Sequence, residues 1–251
     1  MTRSLLLALA AILGAAQGLR AQGGPPMITD DPGTPGDKNW EINLAWTEQA
    51  VPGSTLIGLP LLDANYGVGD RIQLNYQESW NLLQEAGAPG ESGISDSQLA
   101  VKWRFYDAGE DDLQVSTYPR CTFLDPGSDS DRRGTAGSTA TFLVPFEVRR
   151  NLGVVSVNVE FGHAFSAAGA ERGWIGGFCL GRDLAKGWEL DAEVHFAGSD
   201  RLQRAESTAN LGTRFDFTKH NSLLLAVGRD IGNTLGPRIS LLSYAGVQTR
   251  F

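Results

Sequence analysis

Cysteine is scarce here, with two in 251 residues, and histidine numbers only three. That excludes a disulfide-stapled scaffold and leaves no Cys/His spacing able to hold zinc. Basic residues are outnumbered, 21 Lys+Arg against 29 Asp+Glu, for a net charge of -8. With no block of positive charge, a nucleic-acid partner is excluded. Beyond residue 21 no stretch approaches 18 consecutive apolar residues, so no helix spans a bilayer. The 41% of hydrophobic residues still supply a real apolar surface, which rules out wholesale disorder. Glycine is plentiful, 31 residues without a G-X-Y period, which points to a turn-rich β protein and away from collagen or helices.

The N-terminus is a targeting segment. Arg3 gives a positive start, Leu5 to Ala16 a short apolar run, and Leu19-Arg20-Ala21 a cleavage site, with Gly14-Ala15-Ala16 as a second option. Removing residues 1–21 takes away Arg3 and Arg20 and moves the net charge from -8 to -10. No cysteine follows the apolar run, which argues against a lipid anchor. The expected organisation is a signal peptide at 1–21, a periplasmic leader or plug at 22–38 and a barrel at 39–251.

What remains alternates with period two, the signature of strands with one apolar and one polar face. Trp40, Ile42, Leu44 and Trp46 interleave with Asn39, Glu41 and Asn43. Ile72, Leu74 and Tyr76 do the same, as do Leu99 to Phe105, Val155 to Phe161, Trp188 to Phe196 and Leu211 to Phe217. Weaker alternation near 55–66, 112–123, 138–148, 173–182, 221–229 and 238–251 brings the expected count to twelve. Tight links at 67–69, 107–111, 149–152, 183–186 and 218–220 alternate with connections, mostly longer, at 50–54, 81–95, 124–137, 164–172, 198–206 and 230–237.

Short periplasmic turns, longer extracellular loops, an even strand count and strands of about ten residues are the pattern of an outer-membrane barrel. Aromatics fall into two bands, as bilayer interfaces favour. Trp40, Tyr66, Trp103, Trp188 and Phe217 would form the periplasmic girdle, and Trp46, Trp80, Phe123, Phe161, Trp174 and Phe196 the outer one. A soluble sandwich has no reason to band aromatics at two heights, whereas lipid demands closure because every backbone group must be paired. The predicted fold is therefore an all-β, closed antiparallel transmembrane barrel of about twelve strands, in the outer membrane of a Gram-negative bacterium. Glu78 and Ser243 are misfits on the apolar phase.

Three segments carry a family resemblance: Pro25-Pro26-Met27-Ile28-Thr29-Asp30-Asp31-Pro32, Trp40-Glu41-Ile42, and Leu59 to Leu74. Together with Asp96 to Phe105, Pro145-Phe146, Asn151-Leu152-Gly153 and Gly228 to Phe251, they resemble the outer-membrane family named for the MetA pathway of phenol degradation. The Thr-Asp-Asp-Pro opening is the distinctive part, and Pro119-Arg120-Cys121 departs from the family pattern. The resemblance implies transport linked to aromatic compounds. It also implies that the terminal Phe251 is read by the outer-membrane assembly machinery.

Function must lie in the lumen. The polar phases put Glu41, Asp63, Glu147, Glu160, Glu189, Asp191, Glu193 and Asp216 there against Lys102, Arg104, Arg120, Arg214, Arg238 and Arg250, with His195 among them. Such a mixed lining sets up no strong field of one sign, and Arg–carboxylate pairs would narrow the passage or simply brace it. Asp30 and Asp31 precede strand one; they could enter the lumen as a plug, but the prolines at 32 and 35 favour a solvated, stiffened leader.

A hydrolase is the competing class. No Gly-x-Ser-x-Gly elbow exists, His163 falls at the outer rim and His220 in a turn, and His195 has only acids on its face. The sequence thus predicts no catalytic residue, cofactor or metal. Cys121 and Cys179 fall on non-adjacent strands with opposite phases, which a disulfide cannot bridge. The expected function is a narrow passive channel or transporter for small solutes, aromatic or hydrophobic compounds among them. The alternative is a non-conducting structural or interaction barrel whose outer loops act. The expected partners are the lipid bilayer, the assembly machinery and a small solute.

Overall fold

The computed structural model describes residues 24–109, 112–166 and 173–251. The signal peptide expected at 1–21, residues 22 and 23 of the leader, and parts of the connections expected at 107–111 and 164–172 lie outside the described residues.

The chain is a closed antiparallel β-barrel. Its strand segments are β1 (Trp40–Val51), β2 (Ser54–Val68), β3 (Ile72–Glu85), β4 (Glu91–Ile94), β5 (Ser97–Asp107), β6 (Leu113–Thr117), β7 (Arg120–Phe123) and β8 (Thr141–Asn151). The remainder are β9 (Ser156–Ser166), β10 (Gly173–Ala185), β11 (Trp188–Ser199), β12 (Ala205–Asp216), β13 (Asn221–Asn233) and β14 (Leu241–Arg250). These fourteen segments make twelve staves. β4 and β5 both pair with β3, and β6 and β7 both lie between β5 and β8, so each couple is one interrupted stave.

The second interruption has a covalent cause. Pro119 has no N–H to give the ladder, and Pro145 on the next stave lacks one too. The Tyr118 N–H reaches the Pro145 carbonyl at 3.4 Å, and the register on either side is kept, with Leu99 and Phe142 both opposite Cys121. First and last strands close the barrel in register from Glu41 opposite Arg250 to Ala50 opposite Leu241, and Trp40 and Phe251 exchange backbone hydrogen bonds of 2.7 and 3.1 Å. Closure pairs β1 with β14 and so removes the two edges that lipid would not tolerate.

The barrel is inside-out relative to a soluble domain. Leu44, Leu74, Leu99, Phe146, Phe161, Leu211 and Val227 are exposed on the outer wall, while Asn43, Asn75, Lys102, Glu147, Glu160 and Asp191 are buried within. Only a bilayer makes that outer wall favourable. Trp40 lies tilted against Tyr66 at 4.8 Å between ring centroids, and Phe161 stacks on Trp174 at 5.1 Å, so aromatic clusters flank the aliphatic band at both ends. The misfit Glu78 stays on the outer phase, where the Tyr76 hydroxyl donates to it at 2.9 Å.

Several expected boundaries shift. The β1–β2 connection is only the Pro52-Gly53 turn, with Gly53 at φ +82°, so this end of the barrel is not uniformly long-looped. β8 continues through Arg149, beyond the start of the turn expected at 149–152, because its side chain alternates inward with Glu147. β14 begins at Leu241, so Arg238 is exposed in the preceding loop and donates to the Asp230 carbonyl at 3.3 Å. Arg238 is therefore not on a lumen-facing strand.

Candidate functional site: an occupied lumen

Residues 24–39 enter the barrel from the end carrying the tight turns. A compact loop forms first: the Met27 N–H donates to the Gly24 carbonyl and the Gly24 N–H to the Thr29 carbonyl, both at 2.8 Å. Thr29 is fully buried, and Met27 and Asp31 nearly so. The solvated leader favoured by the sequence is thus corrected for this stretch. Pro32 and Pro35 stiffen a segment that leaves the lumen, where the Thr34 hydroxyl caps the Asp70 carbonyl at 2.9 Å and Lys38 and Asn39 pair with Gly67 along the end of β2.

Glycines make the room. A Cβ on Gly177 would collide with Thr29, and one on Gly212 with the Met27 methyl and, at 3.3 Å, with Pro26. Gly177 and Gly212 sit on the inner faces of β10 and β12, so the wall is smooth where the segment lies against it.

Polar groups on opposing walls hold the segment. On β11, the Glu193 carboxylate accepts consecutive backbone N–H groups, Ile28 at 3.2 Å and Thr29, while Asn210 donates to the same carboxylate at 2.5 Å. On the other side the Lys102 ammonium donates to Asp30 Oδ1 at 2.8 Å and to the Asp31 carbonyl, and lies 3.7 Å from Glu147. Glu160 accepts the Asp30 N–H at 3.3 Å and a bond from Arg120. Arg149 lies 3.8 Å from Asp31 Oδ2. The Tyr118 ring, buried at the break between β6 and β7, faces both Lys102 at 4.7 Å and Arg120 at 5.0 Å.

Burial works against both aspartates as anions. For Asp30 the Lys102 and Arg120 charges more than reverse it, holding that carboxyl below its usual range. For Asp31 burial prevails over Lys102 and Arg149, and the carboxyl is pushed up.

The other lumen candidates fall into two groups. Asp63 is buried under three amides, accepting from Asn43 at 2.9 Å, Asn75 at 2.6 Å and Asn65 at 3.2 Å. Glu189 and Asp191 line the inner face of β11 with Glu193, and His195 continues that row opposite Gly177 and Thr208. Glu41 pairs with Arg250 at 2.7 Å, Arg104 with Asp107 at 3.0 Å, and Arg214 with Asp216 at 3.2 Å near the turn end. Asp216 is exposed at that mouth and does not belong to the buried lining.

Sequence reasoning missed Arg149, hidden by a misplaced strand end. It also missed Tyr118 and the amides around Asp63, since neutral residues do not stand out in a list of charges. His163 is at the outer rim, 2.6 Å from Asp200, and His220 meets the Arg250 carbonyl at 3.0 Å in the turn. No group of three His, Cys, Asp or Glu able to hold a metal occurs among the described residues. Cys121 and Cys179 are both free thiols.

Space is unevenly distributed along the axis. A cavity of about 430 Å³ opens at the turn end beside Trp40, Glu41, Arg104, Arg149 and Arg250. Another of about 420 Å³ lies near the loop end beside Thr47, Leu61, Ser79 and Asn81. Around Asp30, Asp31, Asp63 and Lys102, at intermediate height, the free space falls to about 40 Å³. The loop-end cavity is partly roofed by the 124–140 connection: Asn81 donates to the Thr135 carbonyl at 2.7 Å, and Arg133 donates to the Ser92 carbonyl at 2.7 Å.

No family model matches the chain, and no curated protein matches it. Solved structures do. An outer-membrane channel from Pseudomonas putida F1 superposes with a TM-score of 0.67 at 12% identity, covering 94% of this chain and 100% of the other. The NanC porin follows with a TM-score of 0.57 at 7% identity, 83% of this chain and 98% of its own. The KdgM porin, solved with disordered oligogalacturonate, gives 0.55 at 10% identity, 83% and 99%. At these identities the likeness concerns the fold alone, a closed β-barrel of the kind found in the outer membrane.

Proposed function

We propose that this barrel is a narrow passive channel for small solutes and that residues 25–36 are its plug, held by Asp30 and Asp31. The observation that carries the reading is the axial profile of free space, about 430 Å³ and 420 Å³ at the two ends and about 40 Å³ beside the aspartates. Two vestibules meeting at a segment that is not part of the wall describe a passage closed by a removable element. Lys102, Arg120, Arg149, Glu160 and Glu193 act as the plug's receptors, and the remaining lumen charges brace the wall.

The solutes are small, and aromatic or hydrophobic compounds are the favoured class; the motif resemblance to the MetA-pathway family supports that choice. Phe251, exposed and paired with Trp40, is the proposed signal for the assembly machinery. We assign no catalytic step to His195 or its neighbours.

Deleting residues 25–36 and recording single channels in planar bilayers tests the proposal. Larger discrete steps than those of the intact chain are expected, and unchanged conductance would sink the plug. The constriction of about 40 Å³ also suits a second reading, a non-conducting barrel acting through its outer loops. Silence from the deletion variant as well as the intact protein would favour that reading.

A further inference from the structure

We infer that the loop-end vestibule is a binding subsite for one small uncharged solute that has an apolar face and a single hydrogen-bonding group. The inference rests on the channel reading and adds the solute class and the place where it is held.

Much of the inner wall is polar, and this vestibule differs in carrying two leucines. Leu56 and Leu61 line the cavity from β2. A bulge puts both there: between Gly58 opposite Asn81 and Leu61 opposite Ser79, β2 spends three steps against two on β3. The extra residue keeps Asp63, Leu61, Gly58 and Leu56 on the same inner face, which strict alternation would not. Space at Gly58 is tight, since a Cβ there would stand 2.6 Å from the Thr47 hydroxyl and 2.7 Å from that of Ser79. Leu83, opposite Leu56, extends the apolar patch beneath Gly134 of the roofing connection, where a Cβ on Gly134 would meet the leucine at 3.0 Å.

The polar side of the cavity carries one charge, the Asp96 carboxylate, and is largely engaged. Its lining has no Lys, Arg or His, and its one acid, Asp96, accepts the Gly137 N–H at 2.8 Å. Asn81 donates to Thr135 and accepts from Ser79 at 2.7 Å. The Gln77 amide and the Thr47 hydroxyl remain to meet a solute. An anion would lose hydration without gaining a counter-charge, and the Asp96 carboxylate that a cation would seek is already engaged by the Gly137 N–H, whereas an uncharged molecule can set an apolar face on the leucines and one polar group on Gln77. A volume of about 420 Å³ holds a single-ring molecule with water to spare, since benzene fills an apolar cavity of about 150 Å³. The turn-end cavity contrasts with this one, with Glu41, Arg104, Arg149, His220 and Arg250 around it.

The test is calorimetric titration of the intact micellar barrel with phenol and with benzoate, which share a ring and differ in charge; empty micelles are subtracted. Folding of each variant is checked by heat-modifiable gel migration. Phenol should bind, benzoate at least about tenfold more weakly, and both Leu61→Asn and Gln77→Ala should weaken phenol by about tenfold or a little less. Two variants on opposite sides of the cavity keep the result readable if one of them misfolds. Equal binding of benzoate, phenol affinity unchanged in a folded variant, or no phenol binding at all would overturn the subsite. Liposome swelling is measured in parallel with the plug-deleted barrel. Binding without swelling would retire the channel and leave the subsite standing, and swelling without binding would do the reverse.

Discussion

The Lys102 ammonium, buried on the lumen face of β5, lies 2.8 Å from the carboxylate of Asp30, 72 positions earlier in the chain. The pair ties the barrel wall to a segment that contributes no strand to it. Breaking one partner of a buried pair leaves the other charge unpaired, at a cost of roughly 3–5 kcal/mol. Lys102→Met should therefore loosen the N-terminal segment and lower the unfolding temperature. Channel recordings should show longer or larger openings than the parent, and thermal scans in detergent check the stability.

Cys179 is fully buried on the inner face of β10, two positions from the Gly177 contact with Thr29. If the N-terminal segment covers it, deleting residues 25–36 should make this thiol react with a small charged thiosulfonate reagent. Mass spectrometry of Cys121→Ser barrels, with and without the deletion, reads this directly. Equal protection in both would mean that the wall alone shields the sulfur.

Gly177→Val and Gly212→Leu put side chains where Thr29 and Met27 sit. Both positions face the lumen, so the expected outcome is displacement of the segment from a barrel that still folds. Trypsin or chymotrypsin should then cut the N-terminal segment in the variants and spare the strands, and intact-mass analysis checks the site of cutting.

Acid should act late. Asp30 is held below the usual carboxylate range, so its contribution to docking is complete above the ordinary value of about 4 and is lost only as pH falls through the depressed one. Asp31, pushed up by burial, takes its proton earlier as pH falls, weakening the attraction of Arg149 first. Glu147, Glu160 and Glu193 also face the segment, so Asp30→Asn is the reference. Conductance of the parent should stay low from pH 7 to about 4 and rise below that, whereas Asp30→Asn should start high; a parent that opens near pH 6 would contradict the assignment.

The 124–140 connection partly roofs the outer vestibule through Asn81 and Arg133. Removing residues 127–134 should raise the uptake of small uncharged solutes in swelling assays that use plug-deleted barrels. An unchanged rate would place the resistance elsewhere along the axis.

Period-two alternation, the aromatic bands and the mostly long-short rhythm of the links determined the barrel from the sequence alone. Lipid outside and water inside fix the face of each strand residue by parity. Parity also put Lys102, Glu147, Glu160, Asp191 and Glu193 inside without any knowledge of their partners. It failed where the count of residues changes, at the Leu59–Pro60 bulge and at strand ends such as Arg149 and Arg238.

Only the tertiary structure decided what fills the lumen. Residues 24–35 carry no strand pattern, and their polar, proline-rich composition suits solvent as well as it suits a wet cavity lined with charge. What tips the balance is the meeting of Asp30 with Lys102, of the Ile28 and Thr29 N–H groups with Glu193, and of Met27 with the space above Gly212. Those contacts join residues as far apart as Met27 and Gly212, 185 positions, and they exist only once the closed wall has brought β5, β11 and β12 around the same axis.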